Sequence, residues 1–245
     1  MPVIRSSREV RARLRVCLVA AGTMLAVACG SAVPSGSVGA EGTAAAPASA
    51  SSASGPFAGR RGELLNPDAS SVVFLYYDLA GISPPLDQWV EDDSRVKYAA
   101  PIDKASRRVA VKAELETARA AVRSIGAIRL STNANLSDYD PTYGEFTVRA
   151  LAPSSVFSFD ALGQKVTLNL GNGRTAQIWR VPAAQAQSVR DTVSLGGGAV
   201  NLDVLLRITD VQPGVGGGSI TADAVEYEMR ESRTGTSIAR VQVSR

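Results

Sequence analysis

The chain has 245 residues and a mass of 25.5 kDa, with 26 Lys and Arg against 23 Asp and Glu, and no His. Without an imidazole there is no Ser–His–Asp or Cys–His triad, no His-ligated zinc and no His general base. An apolar content of 45% supports one core-bearing domain with attached segments.

The positive charge is concentrated at the start. Arg5, Arg8, Arg11, Arg13 and Arg15 are opposed only by Glu9. Of the formal +3, residues 1–28 therefore carry +4 and the remainder −1. The basic pI near 9.0 belongs to this segment and gives no reason to expect nucleic acid. Val16 to Ala28 follows as 13 residues without a charge. At 1.5 Å per residue that run is too short for a hydrocarbon layer of roughly 30 Å. It has the length of a signal-peptide apolar region, and small residues at Ala26 and Ala28 suit cleavage after Ala28.

The stretch Leu25-Ala-Val-Ala-Cys29-Gly30 resembles the lipobox of bacterial lipoprotein precursors, with Ala26 where Leu is usual. The resemblance implies cleavage between Ala28 and Cys29. It also implies a thioether-linked diacylglycerol on Cys29, usually joined by an N-acyl chain such as palmitate. Two or three chains, at about 0.8 kcal/mol per buried CH₂, make attachment permanent. Gly30 rather than Asp after the Cys resembles outer-membrane sorting in Gram-negative lipoproteins. The expected location is the cell envelope, with the domain on the periplasmic side in such a host. Cys17 lies in the removed segment and Cys29 takes the lipid, so no disulfide is expected.

From Gly30 the composition turns to Ser, Ala, Gly and Pro, which cannot bury enough surface to offset ordering entropy. Residues 29–61 are read as the lipidated Cys and a disordered tether, with an r.m.s. span of roughly 30 Å. Residues 62–245 are read as a single α+β globular domain.

In the first half of that domain, Asn66-Pro67-Asp68 predicts an N-cap with Pro at the first helical position, followed by Val72, Leu75 and Leu79 on one face. Gly81 should end this helix. Ser83-Pro84 opens a second, with Leu86, Trp89 and Val90 at helical spacing. A third should run from about Pro101 to Ser124, with Gly126 as its stop. Its stripe of Val111, Leu115, Ala118, Val122 and Ile125 is expected to pack on the sheet, with Lys112, Glu116, Arg119 and Arg123 in water.

The second half alternates with period two. Runs at Phe146–Ala150, Val166–Leu170, Val200–Ile208, Val225–Met229 and Ala239–Val243 predict strands. Gly171-Asn172-Gly173 and Arg233-Thr-Gly-Thr236 read as tight hairpin turns. No segment among these strands reads as a helix long enough for a parallel crossover. The expected fold is α+β: N-terminal helices packed on an antiparallel β-sheet or sandwich of six to eight strands.

Several clusters invite a chemical reading. Ser94-Arg-Val-Lys97, Ser131-Thr-Asn133 and Arg233-Thr-Gly235 resemble, in order, the three motifs of penicillin-binding proteins and serine β-lactamases. The context differs, because Ser94 follows three acids and only ten residues remain after Gly235. Gly214–Ser219 and Gly196–Gly198 lack the Lys and the following helix of a phosphate loop, and read as connections. Asp138, Asp140 and Glu145 supply three carboxylates within eight residues, a weak cation candidate and also good turn chemistry. Tyr76, Tyr77, Trp89, Tyr98, Tyr139 and Tyr143 suit either a contact surface or a core boundary.

Ala224–Val243 resembles a paired-strand finish frequent in uncharacterised envelope lipoproteins, and the region from Pro67 is similar to bacterial families of unknown function. Neither resemblance implies an activity. The expected role is a lipid-anchored binding or assembly module, held to the membrane and meeting an envelope protein or glycan, with no cofactor. Alternatives are an envelope enzyme acting on glycan or peptidoglycan through a carboxylate pair, and a carrier of a small apolar ligand. Two convergent carboxylates would favour the enzyme, a deep dry cavity the carrier, and an exposed apolar patch the module.

Overall fold

A computed structural model describes residues 56–194 and 197–244. It shows an α+β domain. Strand β1 (Gly62–Leu65) leads into four helices: α1 (Ala69–Ala80), α2 (Leu86–Asp92), α3 (Ser94–Lys97) and α4 (Pro101–Ala121). There follow β2 (Ile125–Asn135), β3 (Glu145–Thr147), β4 (Val156–Ala161), β5 (Gln164–Leu170), α5 (Gly173–Ala176), β6 (Ile178–Arg180), α6 (Ala183–Ser194), β7 (Ala199–Gly214), β8 (Gly217–Glu231) and β9 (Ser237–Gln242).

The main sheet has seven strands in the order β1-β2-β7-β8-β5-β4, with β9 also paired to β8. It is mixed, not antiparallel as expected. β1 runs parallel to β2, and β5 runs parallel to β8. The helices α1–α4 make the first crossover. The second includes α6, a helix too polar in sequence to stand out: among its described side chains only Ala186 and Val193 are buried. β3 and β6 form a separate two-stranded sheet.

The core lies between α1 and the inner sheet face. Val72, Val73, Phe74, Leu75 and Tyr76 of α1 are all buried, against Ile128, Val166, Leu168, Val204, Leu206 and Ile220 of the strands. Asp68, not Asn66, caps this helix, accepting from Ser71 N at 2.8 Å. Asn66 instead has φ 42° and pins the sheet edge, its amide oxygen taking Ser131 N at 2.6 Å. Gly81 ends the helix in the left-handed conformation, as expected. Tyr76 donates to Gly217 O at 2.7 Å, and a Cβ on Gly217 or Gly218 would overlap the Lys165 carbonyl or the Tyr76 ring. The glycine run after β7 is thus a close-approach requirement of a hairpin, not a loose connection.

The long helix α4 departs from expectation in part. It packs on α1, α2 and α3, with Val111, Val90 and Val96 forming a small separate cluster with Leu115, while Leu115, Ala118 and, past its end, Val122 and Ile125 join the main core of α1 and the sheet. It ends at Ala121, and Gly126 lies inside β2, where a Cβ would overlap the Arg60 carbonyl. The domain also begins earlier than residue 62: Phe57 packs on the core and Arg60 pairs with Asp78 at 2.6 Å.

Gly171-Asn172-Gly173 is not a hairpin turn, because β5 pairs with β4 and β8 and the chain passes into α5. Along the side of β8 away from β7, β5 covers Gly217–Ala222 and β9 covers Glu226–Arg230. Between them the Asn172 side chain acts as a strand partner. It donates to Ala224 O and accepts from Ala224 N, each at 2.8 Å. The Arg233–Thr236 turn is present, closed by buried Glu231, whose carboxylate accepts from Arg233 N and Thr234 N.

Candidate functional site

Alternation along the strands sends a second set of residues to the outer sheet face. Arg129 of β2 sits among three carboxylates there: Glu63 at 2.7 Å, Asp203 at 3.2 Å and Glu226 at 3.4 Å. Glu226 also accepts from Arg240 at 2.8 Å and Gln242 at 2.6 Å. The Arg240 bond, then that of Gln242, holds the Glu226 carboxyl below its ordinary range. Hydrogen bonding to Glu63 first, then Asp203, pushes the Arg129 guanidinium further up. A glycosidase acid needs the opposite, a carboxyl kept protonated by its surroundings. This network ties β1, β2, β7, β8 and β9 together.

Asp138, Asp140 and Glu145 do not converge. Asp140 Oδ1 accepts from Thr142 N at 2.8 Å and Tyr143 N at 3.3 Å, closing the turn that ends at Gly144. Glu145 faces Arg180 at 3.9 Å, while Asp138 borders a hollow of about 350 Å³ with Arg149 and Arg190. Among the described residues no three His, Cys, Asp or Glu side chains are grouped to hold a metal ion. The residues resembling a serine-nucleophile scheme are also apart. Ser94 opens the four-residue α3 beside Tyr98 and Arg107, whereas Ser131–Asn133 border a different hollow with Asp203 and Arg230.

A hollow of about 580 Å³ opens where residues 57–63 cross the outer sheet face, lined by Phe57, Arg61, Ala127, Arg207, Asp223 and Val225. Arginines and an aspartate among its walls make it a poor match to the deep dry cavity a carrier needs, and it is not between helices and sheet.

The helical layer carries the surface that sequence reasoning missed. Three charges of α4 are drawn sideways to its neighbours: Arg108 to Glu91, Lys112 to Asp87 at 2.9 Å, and Glu114 to Arg95 at 2.7 Å. Opposite Val111, the outward face presents Ile102, 89% exposed, and Val109, 71% exposed, with Ala105, Ala113 and Ala120. Tyr98, 78% exposed, stands just before the helix. Of the remaining aromatics, Tyr76 and Trp89 are buried, with Phe74, Tyr77 and Trp89 meeting edge to face at 5.5 Å. The signal was available as Ile102, Val109 and Ala113 at helical spacing, but small residues hid it beside the stronger stripe through Val111.

Ala28, Cys29 and most of the expected tether lie outside the described residues. No helix among the described residues is long and apolar enough to cross a membrane. No protein-family model, no curated protein and no solved structure matches this chain.

Proposed function

We propose that this chain is a lipid-anchored bacterial envelope protein, cleaved after Ala28 and acylated on Cys29, whose α+β domain works as a contact module. The observation that carries the reading is Cys29 itself. It stands at the end of a charge-free run behind five arginines and ahead of a Ser/Ala/Gly/Pro stretch that reaches the folded domain near Phe57. Gly30 favours the outer membrane in a Gram-negative host. The contact role is supported by the outward face of α4, where two aliphatic side chains and Tyr98 stand in water. Glu63, Asp203 and Glu226 on the outer sheet face are tied to Arg129, which counts against the enzyme alternative.

Intact mass of the membrane-extracted protein tests the anchor. The expected species starts at Cys29 and carries a diacylglycerol with or without a further acyl chain. A mature chain with no added acyl mass overturns it.

A further inference from the structure

We infer that the outward face of α4 pairs with the same face of a second copy, the two helices running antiparallel about a two-fold axis near Val111. The inference deepens the contact-module reading and rests on it for the membrane setting, though the pairing itself needs no lipid.

The outward face repeats at 4-3-4-3-4 along Ile102, Ser106, Val109, Ala113, Glu116 and Ala120, the spacing of a helix–helix seam. All six are exposed, while Val111, half a turn round, is buried. One helix thus carries two seams, and only the inner one is occupied within the described residues. What fits the outer seam is visible in its order. Turned end for end about position 111, Ile102 meets Ala120 of the second copy, Val109 meets Ala113, and Ser106 meets Glu116. Each large aliphatic group faces a methyl, and the hydroxyl faces the carboxylate. A two-fold contact must be complementary to itself, and this seam is. A foreign partner would have no need of that symmetry.

The flanking charges allow the approach. Arg108, Lys112 and Glu114 on the flanks are already paired with α2 and α3, so close contact isolates none of them. A single pair of helices buries less than the roughly 1,200 Å² at the lower end of standard interfaces, so the free dimer is weak. Confining copies to one membrane raises their effective concentration and favours the paired state without a new contact.

Disulfide trapping of the full chain in membranes tests both the contact and its direction. A mixture of Val109→Cys and Ala113→Cys chains should give a band of doubled mass on oxidation. Ile102→Cys alone should not, since its two thiols lie about 27 Å apart along antiparallel helices at 1.5 Å per residue. Ile102→Glu added to the Val109→Cys chain should abolish its trapping with the Ala113→Cys chain, and Val109→Glu in both copies should abolish their co-purification. Separately, Val109→Glu mixed with Ala113→Lys should restore co-purification of two differently tagged copies.

No cross-link in the mixture, or an equally strong one for Ile102→Cys, overturns the pairing. Quenching by bilayer probes of a fluorophore attached to the Val109→Cys variant, without a cross-link, overturns it in favour of a helix lying on lipid. Unchanged circular dichroism shows that the variants fold, as exposed positions allow. The unsubstituted chain should give no band because lipid occupies the Cys29 sulfur; a band there counts against the anchor instead. A monomer whose mature mass still begins at acylated Cys29 overturns the pairing alone.

Discussion

Two helices of this domain are buried to opposite degrees. α1 has 12 residues and buries six of them, while α4 has 21 and buries one. α1 is short but enclosed by the sheet and its neighbouring helices, so its apolar residues run through Val72–Tyr76 almost without interruption. α4 is long but packs mainly on other helices, with Leu115 and Ala118 reaching the main core, so its outward face is free to follow another rule. On the proposed reading stability and contact fall to separate helices, and the length of a helix says little about how much of it is buried. Most helical stability in proteins comes from tertiary packing, and here α1 has most of it.

Substitutions can break that contrast. Phe74→Ala in α1 should lower unfolding stability by about 3–5 kcal/mol, read as a shift in the denaturant midpoint at constant slope. Gly217→Ala should cost about 1–3 kcal/mol, because the residue has φ 140° and its Cβ would strike the Lys165 carbonyl under Tyr76. Asp68→Ala should cost about 1 kcal/mol through the lost cap of α1.

That last effect has a pH signature. The Ser71 bonds hold the Asp68 carboxyl below its ordinary value of 3.8. The cap's contribution is therefore complete above that value and is lost as pH falls through the lower folded-state value. Wild type and Asp68→Ala should converge in strong acid; a gap that persists there would show that the cap does not act through its charge.

Tyr227 sharpens the contrast from the core side. Its hydroxyl is buried without a partner among the described residues, and burial pushes its pKa up. Tyr227→Phe should be neutral or stabilising by about 1 kcal/mol. A loss of similar size would mean that the hydroxyl is satisfied in solution. At the small end, Ile102→Ala and Val109→Ala in α4 should move stability by no more than about 0.5 kcal/mol while weakening self-association. If either costs as much as Phe74→Ala, α4 is core and the division between the helices fails.

The sequence made the α+β class legible, together with Gly81, the start of α4 and the β8–β9 turn, because each has a local cause. It hid what depends on distant partners. β2 was missed because its inward Ile128 and Leu130 run into Ser131-Thr-Asn-Ala-Asn135, which reads as loop until β7 pairs with it. The stripe through Val111 was correctly apolar, but periodicity cannot say whether a sheet or helices will cover it. Both parallel pairings bring together strands far apart in sequence, through connections whose helices are polar or broken into short pieces. At the candidate surface, the residues of the outward face were readable, yet their exposure was not: only structure shows Arg108 and Lys112 bent away toward α2.

Asn172 gives the domain a chemical clock. An asparagine followed by glycine is the dipeptide most prone to lose its side-chain amide, because the unhindered glycine nitrogen can close a succinimide ring. While both bonds to Ala224 hold, the amide is not free to swing onto Gly173. Each opening of that joint exposes it. Once the amide has become a carboxylate, the group facing the Ala224 carbonyl is no longer a donor and the closing bond cannot re-form. Age-related damage in this protein would begin where one side chain stands in for a piece of backbone.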